Sequence, residues 1–557
     1  MKYTTLLLAV VWLFACKKQD AGPQEKFTND NVFDTLDKNG TYVQQYLNNI
    51  YSEMPTGFNR VDGDFLDAAS DDAIPSRYGA NAFLLSNGNL NNGYNPDGQW
   101  SKYYGAIRKV NIFLSQVNSI PKPAEVVFWK AESRFLRALF YFELLKRYGG
   151  VPIIGDTVYT IDANIQLKRN TFDDCVTYIV RECDSIKTKV RQEPISSTDF
   201  GKASRGSVLA LKSRVLLYAA SPLFNGGVIS GAAGEQRTLM GYTSFDAERW
   251  NKAAQAANEL LALNVYSLET AYNNVFLNRR NNEVILPYLR NTTTDLETSN
   301  GPVGYSTGAT GNGATSPTQD LVEAFPMANG KAITDPTSGY NAANPYNNRD
   351  PRLANTVLFN GASWLSRPIE TFEGGRDKPN NGNIQTRTGY YLRKFLGNFA
   401  TSTVYSAQNH NFPIFRIAEV MLNYAEALNE YSGPVTAVST QLINLRKRAG
   451  ITAGSDNRYG IPATLTKDQM RELIKNERRI EMAFEEQRYW DVRRWKTAEQ
   501  AFSKQVRGVT ITQPAPGVFS YQPMPVNTMV FLPKMYLYPL PAGELMKNTN
   551  LIQNYGW

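Results

Sequence analysis

AESRFLRALFYFELLKRYGGVP, residues 131–152, is the stretch whose reading decides the fold class. Phe135, Leu139, Phe142 and Leu145 recur at helical spacing and give a core-facing stripe. Residues 135–145 are apolar nearly all round, and such a helix must pack between neighbours rather than on a surface. Gly149-Gly150 then stops the helix, and Val151-Pro152 restarts an extended chain. The same periodicity predicts helices over residues 34–51, 100–117, 172–191, 204–220 and 247–263, and again over 415–430, 438–449 and 466–495. Consecutive helices with short links imply a mostly α protein, a tetratricopeptide-like solenoid of helical hairpins, although no clean repeat consensus stands out.

Between these helical blocks the character changes. Over residues 271–406 Gly, Asn, Thr and Pro become frequent, and runs beginning at Glu283 and Gly389 read as strands. A stretch of that length is too long for a structureless connection, so a loop-rich subdomain with small β-hairpins is expected. The expected organisation is therefore a leader over 1–15, a tether over 16–31, a helical-repeat region over 32–270, the loop-rich subdomain over 271–406, and a C-terminal helical part with a Pro-rich tail over 407–557.

The leader is read from Lys2, an apolar run over residues 6–14, and Ala15-Cys16. This is the pattern of a bacterial lipoprotein signal, in which cleavage before Cys16 exposes a thiol for lipidation, although Phe14 is bulkier than the usual residue there. No later apolar run approaches the roughly 18 residues a spanning helix needs, so membrane attachment is expected through acyl chains on Cys16.

Composition narrows the chemistry. A hydrophobic content of 42% and a charged content of 20% fit a globular protein with a sizeable core. The net charge of +8 is modest for 557 residues, and Arg and Glu interleave near residue 480, so no nucleic-acid-binding stripe is present. Cys175 and Cys183 fall on one predicted helix, about 12 Å apart, whereas a disulfide needs roughly 4.4–6.8 Å, so both are expected as free, buried thiols. The single His410 and two spare Cys argue against a zinc site, and the residues around His410 resemble no hydrolase signature, so it reads as a polar loop histidine. Glu481 with Glu485 could form an acid/base pair. On a helix, however, Arg478 and Arg488 lie three residues away, and a carboxylate clamped by Arg is a poor general acid. No catalytic residue and no metal site is therefore assigned. Calcium among loop aspartates has no D-x-D-x-D-G run to support it.

Six segments in order resemble the SusD/RagB family of outer-membrane nutrient-binding lipoproteins of Bacteroidetes. They are WSKYYGAIRKVNIFL (100–114), residues 131–152, KASRGSVLALKSRVLLYAASPLF (202–224), RIAEVMLNYAEALN (416–429) with INLRKRAG (443–450), ERRIEMAFEEQRYWDVRRW (477–495) and YPLPAGELMKNTNLIQNYGW (538–557). The resemblance implies a non-catalytic lipoprotein at the outer-membrane surface. It would bind a glycan, or alternatively a peptide, and act as the lid of a SusC-like TonB-dependent transporter. The other classes are a helical-repeat adaptor binding only protein partners and a surface glycosidase.

A glycan binder needs an aromatic platform for apolar sugar faces and hydrogen-bonding side chains around it. With 31 Tyr, 27 Phe and 8 Trp the chain has ample aromatics, and several fall in polar loops. The resemblance points to the loops before residue 100 and to the irregular central region. Loop candidates there are Asp71, Asp72, Arg77, Tyr78, Asn91 and Tyr94, then Tyr305, Trp364 and Tyr390. Each has a competing structural role, because Asp and Asn also stabilise turns and aromatics also pack. The 57–98 interval has too little apolar periodicity to be expected in the core, which favours Tyr78 and Tyr94 as the platform.

Overall fold

The computed structural model describes residues 32–160, 162–227, 229–305, 311–381, 384–399 and 402–557; the expected leader and Cys16 lie outside these. The first helix, α1 (Thr41–Tyr51), buries Val43, Leu47 and Ile50. It starts later than the apolar spacing predicts, and Leu36 is exposed. Asp37 is the reason: its carboxylate accepts from the amides of Gly40 and Tyr42, folding residues 34–40 into turns ahead of the helix.

The helical stack follows from α2 (Trp100–Gln116), α3 (Pro123–Tyr148), α4 (Phe172–Ile186), α5 (Arg205–Ala220) and α6 (Glu248–Leu261). Each packs on the next in chain order. Helix α3 is buried over its second half, from Phe135 to Tyr148, as its all-round apolar pattern requires. It ends at Gly149, whose φ of +76° and close approach to the Leu239 carbonyl leave no room for a Cβ. Helix α4 is unbroken, and Cys175 and Cys183 are free and buried on it, as expected.

The next partner of α6 in the stack is α7 (Ile417–Ser432), which in turn packs on α8 (Thr436–Ala449) and α9 (Lys467–Glu481). The loop-rich region is thus an insertion between two adjacent helices. It is closed at its base by an antiparallel ribbon of Val284–Tyr288 with Phe412–Arg416. Inside it, short antiparallel pairs join Val357–Leu358 to Tyr391–Leu392 and Ser363–Trp364 to Arg367–Pro368. One hydrophobic cluster runs through the insertion and both helical parts; Phe140, Leu286, Trp364 and Phe484 all belong to it.

Three expectations need correction. The first concerns the 57–98 interval, much of which is core. Phe65, Leu66, Ala68 and Ala69 are buried, and so are Asp64, Asp67, Asp71 and Asp72. The antiparallel pairing of β1 (Ala73–Pro75) with Thr315–Pro317 ties this interval to the insertion. The second is the predicted helix over 466–495. Helix α9 stops at Glu481, and the chain turns through Phe484 and Glu486, both at positive φ, before α10 (Arg488–Arg494). The turn aims Glu481 and Glu485 at Arg416, at 2.7 Å each, and the Phe484 amide donates to Asp67. The acids are clamped by Arg, but not by the expected ones: Arg478 pairs with Asp491 and Arg488 with Asp71. The third is the Pro-rich tail, which contains a long antiparallel hairpin of β2 (Gln505–Ala515) and β3 (Val518–Thr528). Val506, Val509 and Ile511 bury one edge of it, and Gly517 at φ +76° makes the turn.

Candidate functional site

The structure sorts the sequence candidates by what each side chain already touches. Tyr305, Trp364 and Tyr390 are buried. The Tyr305 hydroxyl donates to the Trp364 carbonyl at 2.8 Å, and the two rings meet edge to face. The Trp364 indole donates to the Gly397 carbonyl, and the Tyr390 hydroxyl to Gln319. These rings form the interior of the insertion and leave no face for a ligand. Asp71 accepts from Arg488 at 2.8 and 3.0 Å, and Asp72 from Arg479 at 2.7 Å. Burial alone would raise the Asp71 carboxyl, but Arg479 and Arg488 outweigh it and hold it well below the usual carboxylate range. Asp71 and Asp72 therefore hold the interval to α9 and α10.

Asn91 accepts from the amides of Gly93 and Tyr94, both at 3.0 Å, which is turn chemistry. Arg77 donates to the Asp62 carbonyl and to Asp64 at 3.3 Å. His410, expected as a polar loop residue, is buried, with its Nε2 at 2.9 Å from Glu297. Among the described residues no group of three or more His, Cys, Asp or Glu is arranged to hold a metal ion. Two candidate rings remain exposed, Tyr94 at 51% and Tyr78 at 85%.

Tyr78 lines a sizeable cleft. The cleft has a volume of about 740 Å³ and is walled by the segment after β1, by Glu373, Lys378, Asn380 and residues 384–387 of the insertion, and by the β2–β3 hairpin. Its polar lining includes Glu373, Lys378, Asn380, Gln385, Arg387 and Thr510. Arg387 joins the walls: its guanidinium donates to the carbonyls of Val526 at 3.0 Å and Pro75 at 3.4 Å. The same guanidinium lies 4.3 Å over the Tyr78 ring and covers one face. Lys378 donates to Glu373 at 2.5 Å, and Asn380 donates to the second Glu373 oxygen. Burial would raise the Glu373 carboxyl, but the bonds from Lys378 and Asn380 outweigh it and lower it, which suits an acceptor better than a proton donor.

The cleft therefore offers an open aromatic face ringed by donors and acceptors, the chemistry that stacks and hydrogen-bonds a sugar ring. A second cleft of about 610 Å³ at Trp100 and Tyr104 lacks the open ring, because Trp100 is buried between Tyr104 and Tyr148. Of the residues lining this cleft, sequence reasoning named Tyr78 as a candidate and did not name Glu373, Lys378, Asn380, Gln385, Arg387 or Thr510. Thr510 lies on a strand whose pattern the neighbouring prolines obscure, and the others lie in irregular stretches of the insertion with no local signature.

The SusD family model matches residues 282–557, and a second family model, described as starch-binding associating with outer membrane, matches residues 25–217. SusD-like protein P2 of Formosa agariphila is 24% identical over 568 aligned positions, covering 99% of this chain and 98% of that protein. A crystal structure of a SusD-like protein from Bacteroides fragilis superposes with a TM-score of 0.78 at 25% identity, covering 95% of this chain and 99% of that one. A SusD-like carbohydrate binding protein from the same species gives 0.75 at 22% identity, covering 92% and 99%. The ordered motifs, the helical stack with its inserted loop-rich region, and these matches along nearly the whole length agree: the chain belongs to the SusD/RagB family.

Proposed function

We propose that this protein is a glycan-binding lipoprotein of the outer-membrane surface that takes an oligosaccharide in the Tyr78 cleft. It acts as the lid of a SusC-like TonB-dependent transporter and passes the glycan on without cleaving it. The observation that carries the binding part is the Tyr78 ring, backed by Arg387 on one face and 85% exposed, in a cleft ringed by polar side chains. A family relative of the same fold is a carbohydrate binding protein, which supports the glycan over a peptide. The lid role is supported by family membership. Among the described residues the one carboxylate lining the cleft, Glu373, is held by Lys378 and Asn380, whereas glycoside hydrolysis ordinarily uses two carboxyl groups in different protonation states.

Titration calorimetry of the purified protein with neutral and acidic oligosaccharides, with chain lengths analysed after incubation, tests this. Saturable binding with unchanged chain lengths is expected. Shortened products would make the protein a glycosidase, and binding of peptides alone would redirect the reading to a peptide lid.

Anchoring is proposed through Cys16. The sequence there fits a lipidation site, and no described helix is long and apolar enough to cross a membrane. Cys16→Ala is expected to release a folded protein into the soluble fraction with its melting temperature unchanged. If that variant still fractionates with outer membranes in high salt, lipid is not the anchor.

A further inference from the structure

The charges in the Tyr78 cleft do not cancel. Glu373 and Lys378 neutralise each other, and Asn380 occupies the remaining Glu373 oxygen. Arg387 has no such partner. Its contacts are two backbone carbonyls and the rings of Tyr78 and Phe83, and among the described residues no carboxylate comes within ion-pair distance of it. Some buried guanidiniums of this chain are matched by acids, as Arg352, Arg416 and Arg494 are, each with at least two carboxylates; Arg169, Arg349 and Arg493 are instead held by backbone carbonyls inside the fold, whereas Arg387 lines the cleft.

The geometry of this unmatched group is that of an anion receptor. A guanidinium carries five N–H donors in a rigid fork, and the two carbonyls engage only part of them. The carbonyls and the Tyr78 ring fix its plane, so little freedom remains to be lost when an anion binds. Planar carboxylates and the oxygens of a sulfate match that fork, and such charge-assisted bonds are stronger than neutral ones.

Resting on the cleft reading above, we infer that this site selects anionic glycans. The open face of Tyr78 stacks a sugar ring, and Arg387 pairs with an acidic substituent on that ring or its neighbour. Uronate carboxylates and sulfate esters share this chemistry.

The test is calorimetry of wild-type protein, Arg387→Gln and Tyr78→Ala with three probes: oligogalacturonate for the carboxylate, a carrageenan oligosaccharide for the sulfate, and laminari-oligosaccharide as the neutral control. Wild type is expected to bind one acidic probe about ten- to a hundredfold more tightly than the neutral one, and which acidic probe binds identifies the anionic group. Arg387→Gln should remove that preference, weakening the acidic complex by a far larger factor than the neutral one, and added salt should weaken the acidic complex of the wild type more than its neutral complex. If Arg387→Gln does not fold, Arg387→Lys keeps the charge without the fork and should lose most of the preference. Neutral binding that is equal to or tighter than acidic binding, lost in Tyr78→Ala but not in Arg387→Gln, overturns the anionic inference and leaves the cleft as a glycan site. Absence of any binding that depends on Tyr78 overturns the cleft reading itself.

Discussion

Glu481→Ala is expected to cost about 3–5 kcal/mol of folding stability, because it unbalances a buried cluster of charges. Glu481 accepts from Arg416 at 2.7 Å and Arg352 at 2.8 Å, and it also pairs with Arg448. The same cluster extends to Glu283, Glu485, Glu477 and Asp350, with Arg446 and Lys394 as the further cations. Five acids thus face five bases, and nearly all of these side chains are withdrawn from solvent. Removing Glu481 leaves one positive charge in excess where water cannot screen it. Burial alone would push the Glu481 carboxyl up, but Arg448, Arg416 and Arg352 hold it well below the usual carboxylate range. A carboxyl with a depressed folded-state pKa contributes its stability above the unfolded value, about 4.3, and loses it as pH falls toward the folded value. Denaturant unfolding should therefore show the large loss near neutral pH and a smaller difference between the two proteins in acid. A change of under about 1 kcal/mol near neutrality would mean that the cluster is hydrated and contributes little.

Phe484→Ala should cost a similar amount, about 3–5 kcal/mol, for a different reason. The ring is fully buried and meets Phe65 edge to face at 6.2 Å, inside the main hydrophobic cluster. Its backbone is at φ +61°, in the turn between α9 and α10. Phe484→Gly loses the same ring but relieves that backbone, so it should be the milder of the two by about 1 kcal/mol. Chemical denaturation of both variants checks this. A melting curve for Phe484→Ala close to wild type would show that the turn is peripheral to stability.

The two sites also show where sequence reading succeeds and where it stops. The helices were legible because their apolar residues recur at 3.6-residue spacing, and residues 131–152 carry that signal at full strength. The turn at Phe484 and Glu486 was not legible, since neither residue is one that normally marks positive φ. The β2–β3 hairpin was hidden by Pro514, Pro516, Pro523 and Pro525, which read as a tail although a two-stranded ribbon tolerates them. Asp71 and Asp72 looked like loop residues because their partners Arg479 and Arg488 lie some four hundred positions away. The cleft was half visible: an exposed tyrosine in a polar loop can be read locally. The guanidinium that backs Tyr78 comes from the far side of the insertion, and only the fold brings the two together.

The central claim is that Tyr78 is the platform on which a sugar stacks, and calorimetry of Tyr78→Ala against a bound oligosaccharide tests it most directly. Losing a stacked ring costs about 1–3 kcal/mol, taking base–aromatic stacking as the analogue. The dissociation constant should therefore rise roughly 5- to 150-fold. The melting temperature should not change, because the ring is 85% exposed and contributes little to the core. Unchanged affinity for a glycan that wild type binds would contradict the account and move the site away from this cleft.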